Sequence, residues 1–176
     1  MTVIPHAKTA RRSRFKGSNP SVVLAVLGLS ALAPLAHGGE KISFDGVQYA
    51  SGHFQAVQLE PNHTYLLIKE WRAIHVSKDA SNITNGTKLE CTGFIDAKPD
   101  GTLNSDGYCN HWDKDGHLWV GHWWNNSKMN VGRYEVVGGQ GKYAGATGGG
   151  TANCKFLNPP PDPQAACEIT GTIELK

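Results

Sequence analysis

The 176-residue chain carries 17 Lys and Arg against 15 Asp and Glu, a formal charge of +2. Five of those cations, Lys8, Arg11, Arg12, Arg14 and Lys16, precede the first apolar run, so the remainder holds 12 basic residues against all 15 acidic ones. Nothing in such a net-negative domain points to a nucleic-acid or anionic-membrane surface, for which a basic patch would be needed.

In chain order, the first element reads as an address. After the cations, Pro20 to Ala36 contains no charge and ends in the small residues Ala36-His37-Gly38-Gly39, which suit signal peptidase. This predicts a signal peptide over residues 1–38, a single domain over 39–176, and a secreted or periplasmic location. A single-pass anchor is the competing reading, because about 17 apolar residues is the minimum for a spanning helix. The two prolines in the run and its small-residue exit favour cleavage. Arg11-Arg12 begins a twin-arginine pattern that the following residues do not continue.

Beyond residue 39 no segment has a helical period. Runs rich in Val, Ile, Thr, Tyr, Phe and Trp alternate with turns of Gly, Asp, Asn or Pro. The expected strands are Lys41–Val47, His53–Leu59, Thr64–Ser77, Thr87–Ala97, Thr102–Trp112, His117–Trp124, Asn130–Val137, Thr151–Phe156 and Glu168–Leu175. An all-β domain with so many short strands leaves an edge exposed unless it closes. The expectation is a closed antiparallel β-barrel of calycin-like, eight-stranded type, with a β-sandwich as the alternative.

Two turns are well marked. Pro99-Asp100-Gly101 and Asp115-Gly116 each place Gly where a tight hairpin needs positive φ. The first brings Cys91 and Cys109 nearly opposite one another. Four cysteines in an oxidising compartment imply two disulfides with three connectivities, and the local one, Cys91–Cys109 with Cys154–Cys167, fits the strands. The second pair would staple the base of the proline-rich excursion FLNPPPDPQAA, which cannot join a central strand.

The segment NHWDKDGHLWVGHWWNN, Asn110 to Asn126, concentrates His111, His117 and His122 with Trp112, Trp119, Trp123 and Trp124. Side chains alternate along strands. Either register around the Asp115-Gly116 turn puts His111 on the same face as Leu118, Val120 and His122, with His117, Trp119 and Trp123 on the other. His111 and His122 could then meet in a two-histidine metal site, with Glu70 or His75 as a third ligand. No HExxH or facial-triad spacing supports it. The tryptophans offer stacking area for a ring-bearing ligand. Asp113-Lys114-Asp115-Gly116 resembles the start of a calcium loop but lacks the later ligands.

The glycine-rich stretch VVGGQGKYAGATGGGT, Val136 to Thr151, invites a phosphate-loop reading and fails it. Gly141-Lys142 is followed by Tyr143 rather than Ser or Thr, and Val136 stands where the first glycine is needed. The dinucleotide fingerprint fails on its last spacing, and Ala144 to Thr151 is too glycine-rich for the helix that should follow. A sharp strand-to-strand connection remains, with Tyr143 packing onto the barrel end and Gly148-Gly149-Gly150 letting the chain cross closely.

Gly138, Gly139, Gly141, Tyr143, Gly145, Ala146 and Gly148 form a strand, then GGxGxY and GAxG, then a strand. This pattern resembles a segment of allene oxide cyclases and dirigent proteins, and of bacterial exported proteins with an allene-oxide-cyclase-like barrel. It covers Arg133 to Thr151, and the strand, loop and strand after it agree in order and length. The resemblance implies an eight-stranded barrel with an apolar lumen, no cofactor, and a homo-oligomer of two or three chains. A cyclase of that kind uses a carboxylate, for which Glu70 is the nearest candidate, since it interrupts the apolar strand TYLLIKEWRAIHV.

Three functions follow as expectations. The first is a module that binds a small apolar or aromatic molecule through Trp112, Trp119, Trp123, Trp124 and Tyr143. The second is a cofactor-free cyclase, isomerase or lyase using Glu70, His111 or His122 for proton transfer. The third is a metal-binding barrel built on His111 and His122. No nucleic acid, and no membrane after leader removal, is expected as a partner. The cysteines are all spoken for, and no G-x-S-x-G elbow supports nucleophilic catalysis.

Overall fold

Alternation of buried and exposed side chains governs most strands of the structure, a computed structural model that describes residues 39–176. The leader expected over residues 1–38 lies outside the described residues. The strands are β1 (Lys41–Glu60), β2 (His63–Ser77), β3 (Lys88–Ala97), β4 (Leu103–Trp112), β5 (Leu118–Asn126), β6 (Gly132–Gly139), β7 (Thr147–Phe156) and β8 (Gln164–Glu174). Each pairs antiparallel with the next, and β8 pairs back onto β1 from Lys41↔Glu174 to Ser51↔Gln164. That last ladder closes the barrel and removes the sandwich alternative.

The two strands expected over Lys41–Val47 and His53–Leu59 are one. Ala50-Ser51-Gly52 stays in register with Ala73, Arg72 and Trp71 instead of turning. The ladder slips between His53 and Phe54, where a bulge restores Phe54 to the inner face, and again near its end between Gln58 and Glu60. Inward residues such as Phe44, Ile68, Leu89, Ile169 and Ile173 make the core, while their sequence neighbours face solvent.

Strand directions gather both ends of the domain and the connections 78–87, 113–117 and 140–146 at one end of the barrel. That end is closed. Tyr143, in a single 3₁₀ turn (Gly141–Tyr143), is fully buried in the same cluster as Trp119, Val136 and Ile173. Gly148, Gly149 and Gly150 lie within β7 itself rather than before it. Gly150 pairs with Gly171, and the Tyr134 phenol lies over both, donating to the Thr170 carbonyl at 3.2 Å. A Cβ on Gly171 would overlap that phenol oxygen. The glycine run is therefore a thin section of wall that admits a large inward aromatic.

Both disulfides join residues directly opposite one another, Cys91↔Cys109 and Cys154↔Cys167, with Cα separations of 4.0 and 3.9 Å. The local connectivity is the one present. Among the described residues no helix is long and apolar enough to cross a membrane.

Candidate functional site

The β4–β5 hairpin decides what enters the lumen. Its loop has five residues, Asp113 to His117, between the paired Trp112 and Leu118. The Asp113 carboxylate organises it, accepting from the backbone N–H groups of Asp115 at 2.9 Å and His117 at 3.0 Å. Burial of that carboxyl is outweighed by Lys142, 2.6 Å away, and by those backbone donors, which hold it below the usual carboxylate range. An odd loop shifts the pairing by one residue relative to a two-residue turn, so His111 faces Trp119 and Tyr108 faces His122. The expectation that His111 and His122 share a face is corrected: His111, Trp119 and Trp123 point inward, and His122 points outward.

Inside, the His111 and Trp119 rings stack with centroids 3.5 Å apart and planes 9° from parallel. Gly93 and Gly107 oppose one another across β3 and β4, and the Trp123 indole occupies the space their missing side chains leave. Opposite, Phe54, Trp71 and Phe156 form an aromatic wall with centroid separations of 5.6 and 6.0 Å. Together with Tyr134, Ile68 and Ile169 these surround a cavity of about 390 Å³. Both disulfides contribute to its lining.

Polar groups in the lining are few. Gln48, Ser105, His111, Asn125 and Tyr134 reach it, Asn130 and Asn153 join them at its exposed side, and among the described residues no Asp or Glu does and Arg133 is its one charged residue. Among the described residues His111 is the one histidine that lines it. Its Nδ1 is buried without a hydrogen-bond partner, and burial, with a smaller push from His75, lowers its pKa to about 3. His75 is buried too, edge-on to Phe44 at 5.7 Å, with neither ring nitrogen partnered. Burial pushes it down against the opposing pull of Asp45, but it does not line the cavity.

The cavity opens sideways. β6 begins at Gly132, opposite Ala152, so Asn153–Phe156 run on with no β6 partner. Asn130, Arg133, Asn153 and Phe156 line the cavity there and are exposed, which marks a window between the β5–β6 connection and β7.

The remaining candidates sit elsewhere. Glu70 faces outward, half exposed, and pairs with Arg72 at 2.8 Å. His122 lies on the outer face between Tyr108 and Trp124, at ring separations of 4.8 and 5.2 Å. Its Nε2 is 3.0 Å from Asp106 and its Nδ1 is 3.2 Å from Glu135. Partial burial opposes protonation of His122, but the two carboxylates prevail and raise its pKa. Trp112 is outward and absent from the lining; Trp124 reaches the rim; Tyr143 is at the closed end, away from the cavity. Among the described residues no three His, Cys, Asp or Glu side chains cluster to hold a metal ion.

Phe54, Trp71, Asn125, Arg133 and Phe156 belong to the site and escaped sequence reasoning. Trp71 was detectable: it stands in the same apolar strand as Glu70, one residue on, and a bulge at Ile68–Trp71 turns it inward. Arg133 had no local signal, because its place at a window depends on where β6 starts.

The fold and cavity define a class: a closed eight-stranded antiparallel barrel with a blind, largely apolar interior. No protein-family model matches the chain, and no curated protein does. Among solved structures it is similar to a pterocarpan synthase dirigent protein, at a TM-score of 0.49 and 14% identity, over 90% of this chain and 98% of that one. A second pterocarpan synthase dirigent protein gives a TM-score of 0.46 and 13% identity, over 79% of this chain and 96% of the other.

Proposed function

We propose that the protein is a binding module that holds a small, flat, mostly apolar molecule in its barrel, in an oxidising extracytoplasmic compartment. The observation that carries this is the lining itself: aromatic walls, a neutral His111 at depth, and no carboxylate. Burying apolar rings against such walls supplies about 25 cal/mol per Å² removed from water. His111, with an orphan nitrogen and a pKa of about 3, is a hydrogen-bonding anchor for a ligand hydroxyl and a poor proton acceptor in chemistry near neutrality. Proton transfer by Glu70 or His122 would need groups that lie on the outer face. The paired cysteines support the oxidising compartment.

The test is calorimetric titration with 2-naphthol and naphthalene. Wild-type protein binds both; His111→Phe, which keeps a ring against Trp119, weakens 2-naphthol about five- to tenfold, the worth of one hydrogen bond, and leaves naphthalene unchanged. Ala152→Phe, which fills the cavity, abolishes both. Retained binding in Ala152→Phe, with native stability, would place the ligand elsewhere and defeat the proposal.

A further inference from the structure

The window carries a second, chemically distinct part of this site. Arg133 is the first residue after the start of β6, paired across β5 with Trp124 and across β7 with Thr151. It is the single ionised side chain among the residues that line the cavity, and it is exposed at the opening. Two carboxylates of that outer face are committed, and a third, Glu168, opposite Asn153 in the β7–β8 ladder, is exposed and does not line the cavity. Glu135, two residues on, and Asp106, beside Trp124, both bond to His122. Among the described residues Arg133 forms no ion pair, whereas Arg72, the other arginine of the domain, bridges Glu70 and Glu90. Asn130 and Asn153 line the cavity with it and are exposed as well, each with an amide that can donate to an anion.

The lining therefore runs from apolar rings at depth to a guanidinium with two amides at the rim. We propose that Arg133, Asn130 and Asn153 form an anion subsite, so that the preferred ligand is an apolar or aromatic acid whose carboxylate lies in the window while its body fills the lumen. The inference rests on the lumen reading above and adds a sign of charge to it. A guanidinium offers a carboxylate two parallel N–H donors, and the lack of any acidic side chain in the lining removes the competing partner. A cationic ligand of the same shape would meet Arg133 with nothing to offset it. Arg133 contributes to binding and selectivity; it asks for no chemical step.

The experiment compares 2-naphthoate with neutral 2-naphthol on the whole secreted protein. Wild type binds naphthoate more tightly than naphthol, and about 0.5 M salt narrows the gap because the window is open to solvent. Arg133→Gln raises the Kd for naphthoate about three- to tenfold, as expected for a partly screened, charge-assisted pair, and changes that for naphthol less than twofold. Arg133→Lys, which keeps the charge and loses the fork, falls between. Unchanged naphthoate affinity in Arg133→Gln, or an equal loss for both ligands, overturns the subsite while leaving the lumen reading intact. Failure of wild type to bind either ligand overturns both.

Discussion

Replacing Tyr143 distinguishes a plug from a ligand contact. The side chain is fully buried at the closed end, packed in the cluster of Trp119, Val136 and Ile173, with the Lys142 ammonium 5.3 Å from its ring centre. Truncating a buried aromatic to Ala costs about 3–5 kcal/mol, because the transfer loss is joined by a cavity that rigid strands cannot close. Against a total stability of about 5–15 kcal/mol that is a large share. A domain of this size loses roughly 3–5 °C per kcal/mol, so Tyr143→Ala lowers Tm by about 10 °C or more. The hydroxyl is another matter. Burial first, then the nearby Asp113 and Asp115 carboxylates, push the phenol pKa up, and its oxygen makes no hydrogen bond of normal geometry. Tyr143→Phe therefore costs less than about 1 kcal/mol. Urea and thermal unfolding read both variants, and calorimetry shows 2-naphthol affinity unchanged in Tyr143→Phe. A cost below about 1 kcal/mol for Tyr143→Ala would refute the plug. Weakened naphthol binding by Tyr143→Phe would refute the separation of cavity and closed end.

Lowering the pH tests His111: its folded pKa of about 3 lies below the ordinary 6.5 of an exposed imidazole, so the unfolded chain takes up a proton that the native one refuses. Its stabilising contribution is intact above pH 6.5 and is lost as pH falls toward 3, with a slope of up to about 1.4 kcal/mol per pH unit. His111→Phe should flatten the urea-unfolding profile in that window; an identical profile for both proteins would show that His111 is not buried neutral. His75 acts in the same direction, so the variant retains some slope. Gly171→Ala drives a methyl into the Tyr134 phenol and should cost about 2 kcal/mol or more by urea unfolding; a neutral effect would mean that the phenol does not lie over β8. Glu70→Gln, on an exposed pair with Arg72, should change stability by less than about 0.5 kcal/mol and leave naphthol binding alone; loss of binding would bring Glu70 back to the site.

Strand positions and the Cys91–Cys109 bridge were readable because turn chemistry fixes a hairpin's centre, and Pro99-Asp100-Gly101 marks one without ambiguity. Asp115-Gly116 looked equally plain. There the deciding residue is Asp113, whose carboxylate wraps the loop from two positions upstream and lengthens it to five residues. One residue of register exchanges the two faces of β5 relative to β4, which is why the inner set is His111, Trp119 and Trp123 and not His111 with His122. An aspartate just after the last strand residue, with polar residues up to the next strand, was the available signal. Glu70 illustrates a different limit. It stood out because it interrupts the apolar strand TYLLIKEWRAIHV, but the bulge between Ile68 and Trp71 breaks the inward–outward period beside it, and bulges leave little trace in sequence. Tyr143 was legible as packing and misleading as a ligand contact, since nothing local says at which end of a barrel the cavity lies.

The free length of β7 matters beyond the window it leaves. Asn153–Phe156 keep their β8 partners but present backbone donors and acceptors on the β6 side that no neighbouring strand takes up. Such a stretch is where another polypeptide could add a strand and begin aggregation. The chain guards it with an exposed Lys155, with the cluster Pro159-Pro160-Pro161 immediately beyond, and with a bridge at Cys154 that ties the edge to β8. Proline cannot donate to an incoming strand and a buried lysine is costly. The opening proposed as the way in for a small molecule is thus defended against a second chain.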